Sequence, residues 1–192
     1  MTARNTRSKI IEAAAVLFYE QGLRSVGVDA IADRACVTKR TLYYNFASKD
    51  DLIAAYLEHR DVPTVERYKR WLGDERQPLA DRIASLFSEL AAFASRPKWR
   101  GCGFTRAAVE LAGQPGHPAV QMAARHKRRF EAWLADEFKQ SGIVDASLAA
   151  QQVMILLDGA IAQILIHGDV EYATSARKAA QALVTVPTAT PA

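Results

Sequence analysis

Apolar residues recur at three- and four-residue intervals along almost the whole 192-residue chain, and nowhere do β-branched and polar residues alternate between turns. A chain with that spacing can bury its apolar surface only by packing helices, so the expected fold class is all-α. From Thr6 to Gln21 the residues Ile10, Ala14, Leu17 and Phe18 form one stripe, and Gly22 stands where a left-handed residue ends a helix. Val28, Ile31, Ala32 and Ala35 repeat the spacing over a much shorter stretch. Thr38 is placed to cap another short helix carrying Leu42 and Phe46. Ser48, with Asp51 three residues on, marks the start of a fourth helix through Leu52, Ala55 and Tyr56.

Beyond that point Pro63, the Gly73 to Pro78 stretch, Pro97, the Gly113 to Pro118 stretch and Gly142 divide the chain into further helices, about nine in all. No internal repeat is evident. Leu148 to Ile166 is apolar almost all round, but Gln151, Gln152, Asp158 and Gln163 interrupt it. A helix buried on two sides fits it better than a membrane span, and the second side could meet another copy of the chain. On this reading Leu157, Ala160, Ile161, Ile164 and Leu165 are the candidates for a dimer interface. Ala173 to Val184 offers a last helix with an alanine-rich face, and the tail TVPTATPA is expected to be disordered. The organisation expected is a head at 1–47, a body at 48–184 and a tail at 185–192.

With 49% hydrophobic and 24% charged residues, the chain can bury a substantial core, which excludes disorder over most of its length. The start, MTARNTRSK, has no apolar run behind its basic residues, so no secretory signal is read there and a cytoplasmic protein is expected. Cys36 and Cys102 lie far apart without metal-type spacing, which argues against a disulfide scaffold and a zinc knuckle. Residues 1–50 hold eight Lys or Arg against five Asp or Glu, whereas the remainder holds seventeen against sixteen. The excess of positive charge therefore sits at the front, the sign wanted where a segment approaches phosphates.

The segment from Val28 to Phe46 reads as VDAIADRA, a tight turn at CV, then TKRTLYYNF. Two short helices set at a steep angle leave the second protruding, and its first residues, here Thr38, Lys39, Arg40 and Thr41, can then reach base edges in a major groove. If Leu42 and Phe46 face inward, Lys39, Arg40, Tyr43 and Tyr44 are forced largely outward. Lys49, at the start of the next helix, adds a positive end for phosphate oxygens.

VTKRTLYYNFASKDDL, preceded by GLRSVGVDAIADRA, resembles the DNA-binding head of the TetR family of bacterial regulators over about residues 6 to 57. The body is similar mainly in helix count, in LLDGA at Leu156 to Ala160 and in its apolar penultimate helix. The resemblance implies a homodimer whose two heads bind a palindromic double-stranded operator, repressing transcription until an unidentified small-molecule effector in the body re-spaces the heads. It also implies Lys39, Arg40, Thr41 and Tyr43 as base-reading residues, with Thr38, Tyr44 and Lys49 on the DNA backbone. Two departures stand out. Cys36 occupies a turn position that is commonly Gly in that family, and would carry strain at a positive φ. Val26 and Val28 stand where Thr is frequent, leaving Gly27 as the cap and a hydroxyl contact to phosphate missing.

On the helix after Pro118, Ala119, Met122, Ala123, His126, Phe130 and Trp133 share one arc while Arg125, Arg128 and Arg129 lie outside it. His126 therefore looks inward, either as a core histidine or as a contact for a ligand. Trp99, Phe104, Met122, His126, Phe130 and Trp133 are the candidates to line an effector cavity, although core packing explains them equally well. His117, His126 and His167 lack metal spacing, so no metal and no cofactor is expected. Two rival readings remain: a helical interaction module without DNA binding, and an enzyme using Cys102 as nucleophile, for which no base or oxyanion hole is signalled nearby.

Overall fold

The structure is a computed structural model that describes residues 3–114 and 116–185. Among them are nine α-helices and no strand, so the chain is all-α. The first four are α1 (Ala3–Gln21), α2 (Val28–Arg34), α3 (Lys39–Asn45) and α4 (Lys49–Leu72). There follow α5 (Leu79–Ala94), α6 (Gly103–Glu110), α7 (Pro118–Gln140), α8 (Ala146–His167) and α9 (Glu171–Val184). Thr185 follows α9 without helical structure, and the rest of the expected tail lies outside the described residues.

The helices gather into two compact units. The first comprises Met1–Thr64 with Cys102–His126, and the second Val65–Gly101 with Lys127–Ala192. In the first, Ile10, Ala14, Leu17 and Phe18 of α1 are all buried, as their spacing requires, together with Ile31 of α2 and Leu42 of α3. Fully burying each such large side chain is worth about 1.5 to 3 kcal/mol. Leu52, Tyr56 and Leu57 of α4 and Phe104 and Ala107 of α6 extend this core, with the rings of Phe18 and Tyr56 5.6 Å apart. Burial pushes the Tyr56 phenol above its ordinary pKa, against the opposing pull of Arg60 and Arg106.

In the second unit α9 packs on both α5 and α8. Ile83, Leu86 and Phe87 of α5, Leu134 and Phe138 of α7 and Val153 and Leu157 of α8 supply its interior. The buried guanidinium of Arg82 meets the carboxylate of Glu137 at 2.6 Å, so the charge that α5 carries inward is compensated from α7. Tyr68, Trp71, Phe93, Phe130 and Trp133 form a continuous chain of ring contacts, with centroids 4.9 to 5.7 Å apart.

Two expectations need correction. The break expected at Pro63 is absent, and α4 continues through it. A proline inside a helix removes one N–H and crowds the carbonyl four residues back. Here Pro63 and His59 are both exposed, so water can serve the carbonyl that Pro63 leaves without a donor. The second concerns α8, which the chain buries on one side only. Leu157, Ala160, Ile161 and Ile164 are buried in their own unit, so they do not present a surface to another copy. The open side of α8 carries Leu148, Ile155 and Ile166 instead, with Leu165 half-exposed. Repeats seven and four residues apart place Leu148, Ile155, Ala162 and Ile166 on one stripe. The helix is long and apolar enough to cross a membrane, and its buried side forms part of the core.

Candidate nucleic-acid interface

α1 ends at Gly22, whose N–H bonds the carbonyl of Phe18 at 3.0 Å with φ at 92°. α2 then starts from Gly27, which is extended and supplies no side-chain cap, as the lack of a hydroxyl there requires. At its other end the N–H of Cys36 bonds the carbonyl of Asp33 and the N–H of Val37 bonds that of Ala32, both at 3.0 Å. This paired closure is a Schellman turn with its left-handed residue at Cys36, φ 54°, the one non-glycine with positive φ among the described residues. The turn thus keeps its geometry without glycine, and carries the strain of a side chain in the left-handed region.

α3 follows at once. Thr38 is its N-cap, accepting the N–H of Thr41 at 3.1 Å, while the two threonine hydroxyls lie 2.9 Å apart. Leu42 and Phe46, four residues apart, are buried, and the Arg7 guanidinium lies 4.9 Å from the centre of the Phe46 ring. That anchoring turns the opposite side of α3 to solvent. Arg40 is exposed there, with Tyr43 44% and Tyr44 86% exposed. The Tyr44 ring therefore stands in water with nothing in this chain to cover it.

Lys39 is also exposed, but its ammonium meets the carboxylate of Asp29 on α2 at 3.0 Å. The hydrogen bond to Asp29 holds that ammonium above its ordinary pKa. Lys49 is half-buried, with its ammonium 3.3 Å from the carbonyl of Arg24. Burial draws its pKa down, against the favourable charges of Asp50 and Glu110. Thr41 is half-buried, and its carbonyl accepts from the Asn45 amide at 2.8 Å. The partnership of Lys39 with Asp29 was not legible in the sequence, because the two stand ten residues apart on different helices.

The six effector candidates fall into two groups. Phe104, Met122 and His126 belong to the first unit, where the Phe104 ring stacks on the His126 imidazole at 3.6 Å. His126 is buried, with Nδ1 2.6 Å from Asp61, a partner that periodicity could not reveal. Trp99, Phe130 and Trp133 belong to the second unit, where Phe130 is buried and stacks on the half-buried Trp133 at 5.7 Å. His117, also buried, accepts the N–H of Ala119 through Nδ1 at 3.0 Å and places Nε2 3.2 Å from Asp50. Cys102 is buried immediately before α6, and Cys36 is exposed.

A family model for bacterial regulatory proteins of the tetR family matches residues 10–56, the stretch from α1 into α4 that frames this surface. The transcriptional activator FasR of Mycolicibacterium smegmatis is 38% identical over 84 residues, which cover 42% of this chain and 38% of FasR. The transcriptional repressor KstR2 of Mycobacterium tuberculosis is 28% identical over 128 residues, covering 67% of this chain and 62% of KstR2. The chain thus spans less than two thirds of either curated relative. A solved TetR transcriptional regulator of Streptomyces avermitilis is 32% identical, with 91% of this chain and 97% of that one superposed at a TM-score of 0.78. With a helix-turn-helix at the matched positions and a relative of that identity along nearly its whole length, this chain belongs to the TetR family of bacterial transcriptional regulators.

Proposed function

We propose that the chain is a ligand-responsive transcriptional repressor acting as a homodimer on a palindromic operator, and that it is a cytoplasmic protein rather than an enzyme or a membrane protein. The observation that carries this reading is α3 itself. Its Leu42 side is committed to the core while Arg40, Tyr43 and Tyr44 stand in solvent. A short helix held from behind in this way presents its leading residues to a major groove. Lys39, Arg40, Thr41 and Tyr43 then read bases, and Thr38, Tyr44 and Lys49 hold the phosphate backbone. Residues 1–47 form the head in this reading, and residues 48–184 the domain that dimerises and takes up the effector.

The open stripe of α8 supports the dimer. Leu148, Ile155 and Ile166 expose 52%, 65% and 70% of their surface, more than an isolated soluble helix face normally leaves to water. A second copy presenting the same stripe would cover it, and would give the two-fold symmetry that a palindromic operator requires. An effector need favour one spacing by only about 1 to 3 kcal/mol to change operator occupancy several-fold or more.

The test is retention of DNA by the purified chain. At about 50 mM salt it should select a two-fold-symmetric fragment from sheared genomic DNA, and its affinity should fall linearly on a log-log plot as salt rises. Arg40→Ala should relax base preference, whereas Lys49→Ala should weaken all sequences alike. Retention of no fragment would leave the rival reading of a helical module without DNA binding. Because FasR is an activator by name and KstR2 a repressor, a promoter-reporter fusion with and without the chain tests the sign of regulation.

A further inference from the structure

Two side chains of α6, one turn apart, reach the end of α1 from more than eighty residues away. Arg106 Nη1 donates to the carbonyl of Tyr19 at 2.8 Å. Glu110 Oε2 accepts the N–H of Leu23 at 2.7 Å and that of Arg24 at 3.3 Å. The pairing suits the backbone groups involved. Tyr19 is among the last residues of α1, whose closing carbonyls have no helical donor and favour a cation. Leu23 and Arg24 follow the helix, and their N–H groups favour an anion. The fit at Gly22 is close as well: a Cβ built there would stand 3.3 Å from Glu110 Oε1. From the other side, the carbonyl of Arg24 receives the Lys49 ammonium at 3.3 Å. The peptide groups flanking Arg24 are thus gripped both by α6 and by the start of α4.

What is gripped matters for the DNA-reading surface. Between Gly22 and Gly27 the chain has no helix, and α2 begins at Gly27 without a side-chain cap. The corner therefore determines how α2, and α3 after it, are hung on α1. Within the corner Ser25 Oγ bonds the carbonyl of Gln21. Ser25 Oγ also reaches the carbonyl of Gly22, and from outside the corner Glu110 and Lys49 bond its backbone. Neither Arg106 nor Glu110 belongs to the helix-turn-helix sequence, and neither stands on its exposed face.

We infer that Arg106 and Glu110 are positioning residues for DNA recognition: from α6 they fix the corner at 22–27, and release of that grip lowers affinity for duplex DNA while the head stays folded. This rests on the DNA-binding reading above. It makes α6 and the operator thermodynamically linked, so that DNA binding must in turn strengthen the hold of α6 on the corner.

Two substitutions in the full chain separate reach from charge. Glu110→Asp keeps the carboxylate but shortens it by one methylene, so that it cannot serve both N–H groups. Glu110→Gln removes the charge and keeps an acceptor oxygen at the same reach. The probe is the duplex fragment retained by the wild-type chain. Glu110→Asp should weaken binding roughly tenfold, and Glu110→Gln should stay within about threefold of wild type. Both should melt within about 3 °C of wild type, with the slope of affinity against salt unchanged because no phosphate contact is lost. In hydrogen exchange, the amides of Leu23 and Arg24 should lose protection in Glu110→Asp alone, and in wild type should gain it on adding duplex. Wild-type affinity in both variants, or a Gln variant weakened as much as the Asp variant, overturns the inference. A wild-type chain that retains no duplex overturns the DNA-binding reading and this inference with it.

Discussion

His126 Nδ1 lies 2.6 Å from the carboxylate of Asp61, both side chains are buried, and the Phe104 ring covers the imidazole at 3.6 Å with the planes 7° apart. A carboxylate at that depth is tolerable only while its partners are in place, since an ion or dipole left alone in the interior loses its hydration without return. His126→Ala should therefore destabilise the protein by about 3 kcal/mol, combining the lost bond with the cavity under Phe104. Asp61→Asn keeps an oxygen facing the ring and should cost about 1 kcal/mol. Urea unfolding of both variants at constant m-value checks the order; equal costs would mean that the bond, not the packing, sets the stability of this cluster.

At Cys36 the backbone closes α2 in a left-handed conformation, φ 54°. A side chain there costs roughly 1 to 2 kcal/mol, whereas glycine adopts the same φ freely but loses up to about 1 kcal/mol through the flexibility it gives the unfolded chain. Cys36→Gly should accordingly be neutral to stabilising by about 1 kcal/mol, and raise the melting midpoint by a few degrees. Because Cys36 is exposed, no packing is lost. A midpoint lowered by the substitution would show that the thiol makes a contribution outweighing the strain.

The left-handed turn was legible because the resemblance placed a residue other than glycine at a position of known geometry, and the caps were legible because Thr38 and Ser48 act within three residues of themselves. Leu42 and Phe46 were equally readable, since an i, i+4 pair must share a face. Leu42→Ala should cost about 2 to 5 kcal/mol as a buried large-to-small change. Tyr44→Ala, on the opposite side, should leave urea stability within about 0.5 kcal/mol and weaken duplex binding instead. What escaped the sequence were links between distant elements: Asp61 with His126, Glu110 with Leu23 and Arg24, and which side of α8 its own unit would bury. Periodicity reports how many faces of a helix are apolar. It does not report which neighbour takes each face, nor where a polar group finds its partner.

The ion pair of Lys39 with Asp29 sits on the surface proposed to meet DNA, and its acid sets a negative charge where phosphates must approach. Both side chains are exposed, so Asp29→Asn should leave stability nearly unchanged. Freed of its partner and of that repulsion, Lys39 should bind duplex more tightly, by about threefold at low salt, with a steeper fall as salt rises. The raised pKa of Lys39 has its own signature. The ammonium's contribution to the pair is fully present below the unfolded value of 10.5 and is lost only as pH climbs through the higher folded one, so affinity changes near neutral pH do not come from this lysine. Weaker binding by Asp29→Asn would indicate that Asp29 holds Lys39 in its reading position rather than restraining it.

On α8 the buried and open faces predict opposite outcomes for the same change of side chain. Ile164 is 4% exposed, so Ile164→Lys must place an ammonium inside the second unit, and the protein should unfold or lose several kcal/mol. Ile155 is 65% exposed, so Ile155→Lys leaves the interior of the protomer intact. If two copies meet through the stripe from Leu148 to Ile166, each dimer acquires two like charges near its two-fold axis, both stripped of water. Sedimentation should then show a folded monomer, with helical circular dichroism retained. Duplex affinity should fall by orders of magnitude, because a single head loses the gain from binding two half-sites together. A folded Ile155→Lys chain that still sediments as a dimer would place the interface elsewhere, and with it the geometry that spaces the two heads.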